Sequence, residues 1–90
     1  MIIIWIMKEQ DLINLGFIKE SEDDFYYYVL EFGRGFELIS SANDELENGK
    51  WFVEVFEEDS IKFTDIKELT EFIKIINRNK KWHQKKKLLN

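Results

Sequence analysis

The chain has 90 residues, of which 44% are hydrophobic and 16% aromatic, and its formal net charge at pH 7 is -5. This length predicts a single domain whose core depends on the packing of large rings. The sequence contains no cysteine and one histidine, His83, which excludes disulfides, thiol catalysis and metal sites built from thiolates or several imidazoles.

The chain opens on an apolar run, Met1 to Met7. A membrane-spanning helix needs about 20 apolar residues, so this run is too short to cross a bilayer. It also lacks the basic start and the small-residue cleavage site of a signal peptide. We interpret it either as an extra strand or as an upstream extension of a chain that starts at Met7. We therefore expect a cytoplasmic protein with no membrane partner.

A short helix is predicted next, from Lys8 to Leu15. Leu12 and Leu15 have the i, i+3 spacing of one helical face, and Gly16 follows as a stop signal. So short a helix has to be stabilised by packing rather than by its own propensity.

From Phe17 to about Phe63 the apolar period shortens to two, which predicts strands. Gly33-Arg34-Gly35 and Asn48-Gly49 are strong turn signals, and the acidic stretches at residues 20–24 and 57–60 are also predicted to turn. The predicted strands begin at Phe17-Ile18 and continue as Phe25 to Phe32, Phe36 to Ser40, Trp51 to Phe56, and Ile61 to Phe63.

The second predicted helix has the clearest signals in the chain. Asp65 is placed to cap its first turn, with Glu68 three residues later as in a capping box. Apolar residues recur at helical spacing along one side, and we expect the helix to end near Arg78. This stripe consists of Ile66, Leu69, Phe72, Ile73 and Ile76.

These elements predict an α+β fold, with an antiparallel meander of three or four strands packed by the C-terminal helix and the short N-terminal helix. No linker or internal repeat divides the sequence. We expect one domain at residues 1–78 and a basic C-terminal tail at residues 79–90.

Charge is distributed unevenly along the chain. Residues 1–77 contain all 18 acidic residues and seven basic ones, whereas residues 78–90 contain six basic residues and no acidic one. The tail has the composition of a patch for an anionic partner, with a ring available for stacking. The alternative functional hypothesis is therefore a nucleic-acid-associated protein that uses Lys80, Lys81, Trp82, Lys85, Lys86 and Lys87.

The most unusual local feature is the aromatic strand around Tyr26, Tyr27 and Tyr28. Alternation places Tyr26 and Tyr28 on one side and Tyr27 on the other, so that one side belongs to the core and the other displays rings. The rings on the second side have three possible roles: they are covered as well, so that the strand is central in the core, they form a protein interface, or they stack on nucleobases. The acidic body opposes base stacking. We choose Tyr26, Tyr28, Phe52 and Phe56 as apolar anchors for a protein partner, surrounded by Glu54, Glu57, Glu58 and Asp59.

No catalytic or metal site is expected. Asn43, Glu45, Glu47 and Glu54 have a spacing similar to an EF-hand loop, but the glycine of that loop is missing and the flanks are strands. The paired carboxylates stand in predicted turns, and no nucleophile, base and orienting group can be assembled. We predict a protein that is not an enzyme and has no cofactor.

The order of motifs resembles small phage and prophage proteins of low-GC or Bacteroidota-type bacteria. The resemblance covers roughly residues 7–78: Leu15-Gly16-Phe17 after a helix, a tyrosine-rich strand, a strand led by Trp51, and Thr64-Asp65 opening a helix. It supplies no catalytic residues, and it implies that an inhibitor of host defence, similar to anti-CRISPR proteins, is conceivable.

The leading hypothesis is a non-enzymatic protein-binding module or inhibitor that docks an acidic and aromatic surface on another protein. A chain this small and this aromatic could also bury one face by forming a homodimer.

Overall fold

The computed structural model describes the backbone of residues 6–33 and 35–89, and the side chains of these residues except Asp59 and residues 79–89. Within these residues, two helices and five strands follow one another along the chain. Their bounds are α1 Glu9–Asn14, β1 Ile18–Ser21, β2 Tyr26–Glu31, β3 Glu37–Ser40, β4 Val53–Val55, β5 Glu58–Phe63 and α2 Ile66–Leu89.

The five strands form one antiparallel sheet in the order β1-β2-β3-β4-β5. The α+β meander with its two helices is therefore confirmed, with one strand more than the upper number predicted. The strand predicted at Ile61 to Phe63 is also longer than expected, because β5 already begins at Glu58 in the acidic stretch after β4. Glu58 already pairs with Val55, so the turn is limited to Phe56 and Glu57, and Glu57 has a positive φ of 66°.

Helix α1 ends as Gly16 predicts. Gly16 has a φ of 97°, its N–H donates to the carbonyl of Ile13, and the N–H of Phe17 donates to the carbonyl of Leu12. These two bonds form a Schellman motif, which satisfies the carbonyls that the helix end leaves open. The motif also brings Phe17 and Leu12 together into the core.

Helix α2 begins at the predicted cap. The carboxylate of Asp65 accepts from the N–H of Lys67 at 2.7 Å and from that of Glu68 at 3.3 Å. The predicted stripe faces the sheet, with Leu69 and Ile73 buried and Ile66 and Phe72 packed against them. The helix continues to Leu89, beyond the end expected near Arg78.

The first residues of the chain contribute to the core from Met7 onward. Met7 is 1% exposed, and its carbonyl accepts from the N–H of Trp51, while Ile6 makes a bridge with Asp65. The predicted extra strand at Met1 to Met7 otherwise lies outside the described residues, as does Arg34 in the β2–β3 turn. Among the helices that are described, none is long and apolar enough to cross a membrane.

Candidate functional site

The sheet has two chemically different faces, which the strand register defines. Leu30 of β2 pairs with Leu38 of β3, which pairs with Val55 of β4. Residues directly opposite one another share a face, so these three lie on the same side. We call this side, which α1 and α2 cover, the inner face; the other side is the outer face.

The inner face is the core side of the sheet. Leu38 and Val53 are fully buried, as is Leu69 of α2 above them. Tyr28 is 3% exposed and packs edge-on against Trp51, with ring centroids 5.7 Å apart. A polar side chain is also hydrogen-bonded on this face: Ser40 Oγ accepts from the N–H of Tyr28 at 2.8 Å.

Two inner-face tyrosines hold α1 against the sheet through Glu9. The hydroxyl of Tyr28 donates to Glu9 Oε2 at 2.6 Å, and that of Tyr26 donates to Glu9 Oε1 at 3.4 Å. Burial, followed by the hydrogen bond to Glu9, raises the pKa of Tyr28 to about 12. Burial and then the Glu9 charge also raise the pKa of Tyr26. Both phenols are therefore donors at neutral pH, which is the state that this tether requires.

The outer face has an apolar row that crosses three strands. Ile18 of β1 pairs with Val29 of β2, and Val29 pairs with Ile39 of β3. Ile18 remains 65% exposed, and Val29 and Ile39 are only half-buried. Tyr27 and Phe56 extend the row on either side, and Phe56 is 44% exposed.

These apolar residues form the floor of an open groove of about 640 Å³ on the outer face. Carboxylates surround the floor: Glu20, Glu31 and Glu37 line the groove, and Glu54 lies directly opposite Ile39. We call these four residues the acidic rim. An apolar floor with an acidic rim fits a ligand that presents apolar groups together with positive charge.

The rim contains an unfavourable pair. Glu31 on β2 and Glu37 on β3 are directly opposite one another in the register. Like charges in that position repel and destabilise the strand pair by about 0.2–1 kcal/mol. A cation seated between the two carboxylates would remove the repulsion, so the pair favours a positively charged ligand at this end of the groove.

The β5 side of the outer face is already occupied by a lysine. Lys62 Nζ lies 2.5 Å from Glu47 Oε2 and 4.2 Å from the centroid of the Phe52 ring. Phe52 is therefore partly covered within its own chain. The exposed part of the outer face is the side formed by β1, β2 and β3.

The eight residues predicted to bind a partner are not all brought together. Glu54 and Phe56 lie on the outer face, and Phe52 lies beside them under Lys62. Glu57 is exposed in the β4–β5 turn, and Glu58 is exposed at the start of β5. The Asp59 side chain lies outside the described residues.

The expectation that Tyr26 and Tyr28 are displayed needs correction. Tyr28 is in the core and Tyr26 is half-buried beside it, because their hydroxyls reach Glu9 and their rings pack on Trp51. Phe25 and Tyr27 are stacked instead on the outer face, with ring centroids 6.2 Å apart. For β4, the alternate residues predicted on the exposed face do lie there. For β2, the exposed face was assigned to the wrong set of alternate residues.

Sequence reasoning missed the apolar row of Ile18, Val29 and Ile39. A usable signal was present: strand alternation places Glu31 on the same face as Val29, and Glu37 on the same face as Ile39. Charged residues prefer the solvated side of an antiparallel sheet, so the glutamates mark this face as the exposed one.

The residues of the alternative nucleic-acid site, from Lys80 to Lys87, have no described side chains. Their backbone belongs to α2. The role predicted for them stays a prediction.

Within the described residues, no cluster of three or more His, Asp or Glu side chains could hold a metal ion. The side chains of the EF-hand-like segment have separate partners instead. Asn43 Oδ1 accepts from the N–H of Tyr26 at 2.8 Å, Glu45 from that of Ala42 at 3.3 Å, and Glu47 binds Lys62.

Comparison of the chain with protein-family models, with curated proteins and with solved structures gives no match.

Proposed function

We propose that this protein acts by binding rather than by catalysis, and that the outer face of its sheet docks another protein. The observation that supports this most strongly is the exposed row of Ile18, Val29 and Ile39 inside the acidic rim. A sheet face that contacts only solvent would be expected to have polar residues at these positions.

The chemistry of the partner follows from the two parts of the face. Apolar side chains of the partner would cover the floor of the groove and displace its water. This burial of apolar surface is the main source of affinity. Lysines or arginines at the edge of the contact would pair with the acidic rim and set orientation and association rate. We therefore propose a partner protein that presents an apolar ridge flanked by basic residues.

The experiment compares matched variants in affinity capture, followed by direct binding of the purified captured protein. Phe56→Ser removes an exposed ring from the groove, while Ile75→Ser removes a similarly exposed apolar residue from α2. We expect Phe56→Ser to weaken binding about tenfold, the effect of losing an apolar anchor. Ile75→Ser should bind like the unmodified chain.

A second pair of variants tests the rim. Glu31→Lys reverses a rim charge, and Glu71→Lys reverses an exposed charge on α2. We expect a lower association rate and a weaker salt dependence for Glu31→Lys alone. Equal affinity for all four variants, measured on purified proteins, would remove the outer face as the docking surface.

A phage origin and a role as an inhibitor of host defence stay predictions. The proposed docking surface is compatible with an inhibitor, because a small protein that covers a basic surface can block it by occupancy alone.

A further inference from the structure

Helix α2 continues past the residues that anchor it to the sheet. Leu69 and Ile73 anchor the helix, and Ile76 is the last half-buried residue described along it; Asn77 and Arg78 are exposed. At a rise of about 1.5 Å per residue, the helix from Asn77 to Leu89 adds roughly 20 Å of length. The radius of gyration is 14.7 Å, compared with about 12 Å expected for a compact domain of this length.

This end of the chain has the chemistry that the outer face would bind. Residues 78–90, the C-terminal segment, contain six basic residues, no acidic residue, and three large apolar residues, Trp82, Leu88 and Leu89. Apolar groups together with positive charge match an apolar floor with an acidic rim. The two features stand on the same polypeptide.

A chain cannot satisfy this match within itself. Helix α2 packs on the inner face through Leu69, whereas the groove lies on the other side of the sheet. A continuous helix that runs from Ile66 to Leu89 does not turn round the sheet edge to reach that side. A second copy has no such restriction.

We propose that the C-terminal segment of one copy docks in the outer-face groove of a second copy. The proposal rests on the outer face being a docking surface, as argued above. Two copies that exchange segments reciprocally form a closed, isologous dimer. Because segment and groove are different surfaces, docking without reciprocity is heterologous and continues into longer chains. An external basic partner would compete with this self-docking.

Charge exchange on the full chain tests the proposal. One variant combines K80E, K81E and K85E, and a second combines E31K and E37K in the rim. Association is measured by sedimentation and light scattering over a range of protein concentrations at low and high salt. The unmodified chain is expected to associate at low salt, and each variant alone to associate at least about tenfold more weakly, because several charge pairs become repulsive.

The decisive sample is the equimolar mixture of the two variants. The mixture contains an unmodified basic segment, on the rim variant, and an unmodified acidic rim, on the segment variant, so we expect association to return. The control variant combines K67E and K74E, which reverse two exposed lysines on α2 away from the segment, and should associate like the unmodified chain. Thermal unfolding of each variant verifies folding, and E31Q with E37Q replaces the rim variant if that one is unfolded.

Three results would overturn self-docking: a chain that is monomeric at every concentration at low salt, association that survives both charge reversals, or a mixture that does not reassociate. A segment variant that loses only the binding of a single-stranded oligonucleotide, while the unmodified chain is monomeric, would assign the segment to nucleic acid instead. A monomeric chain that still loses its captured partner through Phe56→Ser contradicts self-docking alone. Self-association without an external partner contradicts only the proposed function.

Discussion

Leu38 and Ile39 are neighbours on β3, yet their side chains lie on opposite faces of the sheet and differ in burial. Leu38 is fully buried beneath α2, whereas Ile39 is half-buried and lines the open groove. The same contrast applies to the whole sheet. Tyrosines, serines and aliphatic residues on the inner face are packed and hydrogen-bonded, while the aliphatic row of the outer face is surrounded by carboxylates. Hydrophobicity alone therefore does not separate core from surface here; the cover that the helices provide does.

The largest expected effect compares these two neighbours directly. Leu38→Ala should lower the free energy of unfolding by about 2–5 kcal/mol, because it leaves a cavity under the helices. Ile39→Ala should lower it by roughly 1 kcal/mol or less, since its side chain already contacts water. Chemical denaturation of both variants measures the difference. Equal losses would mean that the outer face is covered in the folded state.

Tyr28→Phe tests the tether on the inner face. The variant loses the hydroxyl that donates to Glu9 at 2.6 Å, and we expect a loss of about 1–2 kcal/mol from a partly buried hydrogen bond to a charged acceptor. Tyr27→Phe, on the outer face, is the matched control and should change stability by less than about 0.5 kcal/mol.

The same tether makes stability depend on alkaline pH. The pKa of Tyr28 is raised from 10.0 to about 12, so the unfolded chain releases this proton first. The contribution is complete below pH 10 and is lost as the pH rises towards 12. Unfolding curves across this window should show a steeper decline for the unmodified chain than for Tyr28→Phe. Parallel declines would contradict the assignment.

The smallest expected effect has the opposite sign. Glu37→Gln removes one charge of the Glu31–Glu37 pair and should raise stability by about 0.2–1 kcal/mol at low salt. The gain should shrink at high salt because the repulsion is screened. If the rim serves binding, the same variant should bind a basic partner more weakly. A gain in stability without a loss of binding would show that the pair has no part in docking.

Local signals predicted much of the framework. Gly16 ends α1 because only a residue free to adopt a positive φ completes the Schellman motif. Asn48 and Gly49 have φ values of 54° and 75°, which is the turn that their sequence favours. Asp65 caps α2, and the apolar stripe that follows faces the core. Each of these features depends on residues within about one turn of one another, so the sequence contains the necessary information.

The outer-face site was only half predicted. Alternation within β4 placed Glu54 and Phe56 together, but the three tyrosines make both sides of β2 aromatic, so that only the charge of Glu31 marks the exposed side. The choice is made by Glu9 and Trp51, which are distant in sequence and meet Tyr28 only after folding. The extra length of β5 similarly depends on the pairing of Glu58 with Val55.

By itself, the sequence determined the α+β class, the helix ends, the glycine turns and the separation of an acidic body from a basic end, because periodicity, capping and charge are local properties. The tertiary structure decided which side of the sheet the helices cover, and therefore which aliphatic residues are core and which form the groove. The physical reason is that either face of an aromatic strand can be buried, and only contacts between distant residues make one burial more stable than the other.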